Sequence, residues 1–137
     1  AVAAENFKAY YPVAHENGTN LDSDRVRRYI QSILSSPALK VFHNAMYDVS
    51  WLRSEGYKIQ GPIADTMMAA SLLDENRFSY TLGSLGMKYL HQGKNKITGE
   101  NNIILPPSAM YKLQPNFVGP YAEQDAYLTF NLWTCVF

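Results

Sequence analysis

The sequence predicts an α/β domain. Three observations carry that expectation. Short runs rich in aromatic and branched residues, near the N-terminus and at Leu39–Phe42, read as strands. Apolar residues recur at helical spacing from Val26 to Ile33, around Tyr47–Leu52 and through the last part of the chain. Strand-like and helix-like segments also follow one another along the chain, which is the pattern of a sheet with helices packed on it.

In order, Ala1–Ala4 is a short apolar run, Glu5-Asn6 a turn and Phe7–Val13 an aromatic-rich strand, together a hairpin. His15–Asn20 is loop, with Asn17-Gly18 as its turn signal. Asp22 or Ser23 caps a helix through Val26, Tyr29, Ile30 and Ile33, and Ser36-Pro37 ends it. Leu39–Phe42 predicts a buried strand. Asn44 is placed to cap a helix carrying Tyr47, Val49, Trp51 and Leu52, which Gly56 closes. Tyr57–Ile59 predicts a further short strand before Gly61-Pro62.

Asp65 or Thr66 caps a helix over Met67–Leu73, with Met67, Met68 and Leu72 in the core. Ser79–Thr81 caps Leu82–Leu90, which Gly83 and Gly86 weaken. Gln92–Asn102 reads as a polar exposed loop. Within it Lys94, Asn95 and Lys96 form a basic surface that is either solvated or a strand contact. Leu105-Pro-Pro107 reads as a linker. The breakers Gln114-Pro115-Asn116 and Gly119-Pro120 precede the final helix, which Tyr121–Asp125 opens and Ala126–Phe137 continues.

A length of 137 residues, 47% hydrophobic and 18% charged, suits one globular domain with a real core. Twelve basic and twelve acidic residues cancel, which argues against holding nucleic acid by bulk charge. A site that grips a strand end through metal ions remains compatible with that balance. The single cysteine, Cys135, excludes an internal disulfide and fits a reducing, cytoplasmic location. No signal peptide is evident, and no apolar run reaches the ~18 residues of a membrane span. A start without methionine and a final apolar run without a stop signal are expected of a piece of a longer polypeptide.

Two stretches carry chemistry. In Tyr121-Ala-Glu-Gln-Asp125 the first and last residues share a helix face, a phenol beside a carboxylate. The carboxylate suits a hard divalent cation and the phenol can orient a water. In Asn44-Ala-Met-Tyr-Asp48, Asp48 lies among Met46, Tyr47, Val49, Trp51 and Leu52, so it needs a partner, and a metal ion is one. Asn44 is either the helix cap or a contact to substrate. Both residues follow the Leu39–Phe42 strand, where α/β folds place their ligands. His43 reads as structural, and Asp22-Ser-Asp24 as capping acids at a helix start.

These residues resemble a known family. Asn44-Ala-Met-Tyr-Asp48 is similar to the second motif, N-x-x-(F/Y)-D, of the DEDD 3′→5′ exonucleases, and Tyr121-Ala-Glu-Gln-Asp125 to their third motif in its DEDDy form. Lys40-Val-Phe-His-Asn44, Ala64-Asp-Thr-Met67, Ser71-Leu-Leu-Asp74 and Tyr80-Thr-Leu-Gly-Ser-Leu85 resemble the proofreading domain of family A DNA polymerases of bacterial or phage type. The likeness is clearest from about Leu21 to Trp133. It implies a ribonuclease H-like fold, a mixed sheet flanked by helices, over residues 1–137 as one exonuclease domain of a longer polymerase chain.

The resemblance further implies hydrolysis of the 3′-terminal phosphodiester of single-stranded DNA, releasing a deoxynucleoside monophosphate. Two Mg²⁺ or Mn²⁺ ions about 4 Å apart clamp the attacking and leaving oxygens. Asp48 and Asp125 hold them, Tyr121 orients the attacking water and Asn44 contacts substrate. The family's first motif, D-x-E on its first strand, is absent from this sequence. The hairpin at Ala1–Val13 resembles the second and third strands, so the N-terminal strand is expected upstream, and this chain alone is expected to be inactive. An RNA-trimming, ribonuclease D-like exonuclease and a non-catalytic nucleic-acid-binding module are the alternatives.

Overall fold

The computed structural model describes residues 1–96 and 106–137. Glu5 and Asn6 reverse the chain between β1, Val2–Ala4, and β2, Phe7–Ala9. The two strands pair antiparallel, Val2 opposite Ala9 and Ala4 opposite Phe7. Asn6 takes the left-handed conformation the tight turn needs, with φ 58°. The second strand ends at Ala9, short of the expected Val13. Pro12 has no N–H for a ladder, and its carbonyl accepts from Leu21 N at 2.8 Å instead.

Helix α1 spans Ser23–Leu34 and is capped by Asp22, which accepts from Arg25 N at 2.7 Å. Strand β3 is Lys40–Phe42, helix α2 is Ala45–Ser54 and strand β4 is Ile63–Asp65. β3 and β4 pair in parallel, Phe42 opposite Asp65, with α2 as their crossover. Gly56, at φ 84°, follows the end of α2 as expected. The strand expected at Tyr57–Ile59 is absent. Its backbone donors are taken by the helices, Tyr57 N by Leu52 O at 2.9 Å and Lys58 N by Gln31 Oε1 at 3.0 Å. The strand forms only after Gly61, at φ 77°, has turned the chain beside Pro37.

Helix α3, Thr66–Leu73, follows β4 directly. Its buried face carries Thr66 and Ala70, four residues apart. Met68 and Leu72 lie on the other side, 57% and 86% exposed, so they are not core. Helix α4, Leu82–Leu85, is capped by Thr81 and runs into a single π-helical turn, Gly86–Leu90. Gln92–Lys96 has no regular structure. The rest of the expected loop and Leu105 of the expected linker lie outside the described residues. Pro107–Lys112 is a 3₁₀ segment rather than an open linker.

Helix α5 spans Pro115–Cys135, starting earlier than the breakers suggest. Pro115 occupies the first turn, where a missing N–H leaves no intrahelical bond unmade. Pro120 lies inside the helix. Leu128 and Leu132 of α5 are fully buried against Ala70, Leu82 and Leu85, which puts the main core between α3, α4 and α5. α5 also packs on β1, β2 and β3. In place of the one mixed sheet expected, the described strands form two separate pairs, β1–β2 and β3–β4. Among the described residues no strand pairing joins β1 to β3, and α5 spans the two pairs. Among the described residues no helix is long and apolar enough to cross a membrane.

Gly86 is required by close packing. A Cβ there would lie 2.5 Å from the Gln92 carbonyl oxygen and 3.3 Å from Leu128 Cδ2. The backbone oxygen cannot withdraw as a side-chain tip can. Gly86→Ala is therefore expected to cost about 1–3 kcal/mol, read as a lower urea midpoint.

Candidate active site

The candidate residues lie at the ends of β3 and β4 and on one face of α5. Asp65, the last residue of β4, binds three backbone N–H groups through its carboxylate. Oδ1 accepts from Asn44 N at 3.0 Å and Met67 N at 2.8 Å, and Oδ2 from Ala45 N at 2.8 Å. One side chain thus holds the N-termini of both α2 and α3, as a carboxylate suits the positive end of a helix. Asn44 does occupy the cap position of α2, but its own side chain makes no capping bond. Its backbone is left-handed, φ 64°, which turns its N–H toward Asp65. The capping role expected of Asn44 therefore belongs to Asp65.

Asp48 lies in the first turn of α2 and is partly buried. Burial raises its carboxyl above the ordinary 3.8, and the negative charge of Asp65 adds to that rise. Its flanks are less enclosing than their composition suggests, since Tyr47 and Trp51 are 62% and 56% exposed. The fields of both Asp48 and Glu123 reach the α-amino group of Ala1. Asp48 of α2 and Glu123 of α5 therefore act on one corner of the molecule.

On α5, Tyr121 and Asp125 are bridged by Lys94. Lys94 Nζ lies 2.8 Å from Asp125 Oδ2, donates to Tyr121 Oη at 3.1 Å and sits 5.0 Å from the phenol ring centroid. The expected common face of Tyr121 and Asp125 is thus realised. Asp125 Oδ1 is buried and has no hydrogen-bond partner among the described residues. Burial raises the Asp125 carboxyl above 3.8, although Lys94, His43 and Tyr121 pull it down. Burial also pulls the Lys94 ammonium down, and there its bonds to Asp125 and Tyr121 prevail and raise it above 10.5. The two shifts differ because Lys94 keeps contact with solvent and gains two partners, whereas Asp125 Oδ1 is buried with none among the described residues.

His43, at the end of β3, bonds Thr66 Oγ1 through Nδ1 at 2.9 Å, and Thr66 Oγ1 donates to Phe42 O at 3.2 Å. Burial lowers its pKa below 6.5, opposed chiefly by Asp65. It is the satisfied structural histidine expected, and its ring also senses the charges of Lys94 and Asp125. By sequence alone Lys94 belongs to a basic surface and Asp65 is a cap of α3. The Ala64-Asp-Thr-Met67 stretch is the signal that singles out Asp65. For Lys94 the only signal is the basic character of its loop.

Among the described residues, no three of His, Cys, Asp or Glu gather closely enough to hold a metal ion. The donors present are nonetheless hard oxygens, and Asp125 Oδ1 is a buried carboxylate oxygen with no hydrogen-bond partner among the described residues. That fits a divalent cation.

A 3′-5′ exonuclease family model matches residues 3–135. The chain belongs to the 3′-5′ exonuclease family. That family is generally dependent on divalent metal. Among its relatives, DNA polymerase I of Pseudomonas aeruginosa is 30% identical over 134 residues, covering 93% of this chain and 15% of that protein. The DNA-directed DNA polymerase of Pseudomonas phage M6 is 28% identical over 135 residues, 90% of this chain and 20% of that protein. DNA polymerase I of Borreliella burgdorferi is 23% identical over 134 residues, 97% of this chain and 14% of that protein. This exonuclease chain thus spans a fifth or less of the length of these relatives.

Proposed function

We propose that this chain is the proofreading domain of a cytoplasmic DNA polymerase, with a ribonuclease H-like fold, and that it removes nucleotides from the 3′ end of single-stranded DNA. The observation that carries the reading is the face of α5. It presents Tyr121 and Asp125 together, with one buried carboxylate oxygen that has no hydrogen-bond partner among the described residues. Family membership and polymerase relatives support the reaction and the substrate class.

Asp125 and Asp48 are the residues that would hold Mg²⁺ or Mn²⁺. When bound, such ions lower the pKa of a water and offset the charge of the attacking and leaving oxygens. Tyr121 directs its hydroxyl to the attacking water, and Asn44, whose side chain does no capping, contacts the terminal nucleotide. Asp65 fixes the backbone from which both Asn44 and Asp48 project. The bridging acids come from a D-x-E strand preceding β1, as the family resemblance implies. Two acids cannot offset the +4 of two divalent ions, so the 137-residue chain alone binds metal weakly and does not cut.

The test is shortening of a 3′-labelled single strand with Mn²⁺, by this chain and by one extended upstream through the D-x-E strand. The extended chain is expected to trim DNA; metal-dependent trimming by the short chain, abolished by Asp125→Ala, would place the missing acids elsewhere. In the extended chain, Tyr121→Phe keeps the ring and removes the hydroxyl. It is expected to slow hydrolysis by ~10²-fold or more with Mn²⁺ affinity nearly unchanged. A parallel loss of metal affinity would make Tyr121 a ligand rather than an orienting group.

A further inference from the structure

The two oxygens of Asp125 are in different states. Oδ2 is 2.8 Å from Lys94 Nζ, while Oδ1 is buried and unpartnered among the described residues. Lys94 is held at this place by the loop around it. Gly86 lets the Gln92 carbonyl pass close to the helix. At Gly83 a Cβ would lie 3.4 Å from Lys94 Cγ and 3.6 Å from Cδ, so the lysine stem runs within van der Waals reach of that position. Asn95 Nδ2 donates to Pro120 O at 3.2 Å, tying the loop to the residue before Tyr121. The ammonium therefore engages both functional groups of α5 at once.

We infer that Lys94 is a tethered cation that holds Asp125 and Tyr121 while no divalent ion is bound, and competes with that ion for them. The inference rests on the metal-binding role proposed for Asp125. Its physical basis is simple repulsion, since an ammonium on Oδ2 stands within a few ångströms of any ion on the same carboxylate. Displacement is feasible because the Lys94 side chain is 33% exposed and can swing into water. Asp125 cannot follow, because it is part of a helix anchored in the core by Leu128 and Leu132. Lys94 thus lowers affinity for the divalent ion without blocking it. It also keeps the carboxylate and the phenol together in the metal-free site.

The test is Mn²⁺ binding to this chain, read by the loss of the free-ion paramagnetic resonance signal. Lys94→Gln removes the charge and is expected to tighten Mn²⁺ binding by about tenfold. Lys94→Arg keeps the charge and is expected to leave the affinity where it was. Asp125→Ala is expected to abolish binding at this site. If Asp125→Ala binds Mn²⁺ as well as the unmodified chain, the metal role and the inference fall together. If Asp125→Ala loses the ion while Lys94→Gln binds it no more tightly, the metal role stands and the inference is overturned. Tightening by Lys94→Arg equal to that by Lys94→Gln also overturns it, because charge would then not be the cause.

Discussion

Asp125→Asn is expected to lower metal-dependent trimming by the upstream-extended chain by about 10³-fold, since a lost ligand forfeits several kcal/mol of transition-state stabilisation. The same change is expected to leave the fold no less stable at neutral pH. The sign follows from burial. Asp125 has its carboxyl pushed above 3.8 in the folded state, so the fold prefers the protonated form. The stability this provides is fully present below the unfolded value and is lost as pH rises through the raised folded one. At pH 7 the charged carboxylate, with Oδ1 unpartnered among the described residues, is held at a cost, and the asparagine amide avoids it. Thermal melts of the unmodified chain and of Asp125→Asn at pH 4 and pH 7 check this. The unmodified chain should lose more stability between the two pH values than the variant does. Asp48, also raised by burial, contributes with the same sign in both proteins. An active Asp125→Asn enzyme would remove Asp125 from the proposed metal site. A variant that melts well below the unmodified chain at pH 7 would mean that the Lys94 ion pair outweighs the cost of burying the charge.

Asp65→Ala is expected to have the largest effect on stability, about 2–4 kcal/mol in urea denaturation, from the loss of charge-assisted caps on two helices. Its carboxylate accepts from Asn44 N, Ala45 N and Met67 N, and alanine leaves all three donors without that partner. Activity of the extended chain should fall as well, because the start of α2 positions Asn44 and Asp48. Asp65→Asn retains one acceptor oxygen and should recover part of both losses. A cost under about 0.5 kcal/mol for Asp65→Ala would mean that water replaces the carboxylate at both helix ends.

What is legible in the sequence is what neighbouring residues settle among themselves. The Glu5-Asn6 turn, the Asp22 and Thr81 caps and the shared face of Tyr121 and Asp125 each depend on residues within about one helical turn. The family motifs add Asp48 and Asn44 as candidates, again from a local pattern. Tertiary structure decided the rest. Met68 and Leu72 are as apolar as any core residue, yet α3 turns Thr66 and Ala70 inward, because α4 and α5 pack on that side. The segment at Tyr57–Ile59 has strand-like residues, but α1 and α2 take its backbone donors first, and β4 forms where β3 offers a free edge. Asn44 occupies a cap position that its own side chain leaves to Asp65, a residue brought there by the β3–β4 pairing. Lys94 meets Asp125 from a loop that Gly86 admits close against the helix. Apart from the Tyr57–Leu52 bond, these contacts join residues far apart in sequence, and their partners are chosen by which groups packing leaves unpaired.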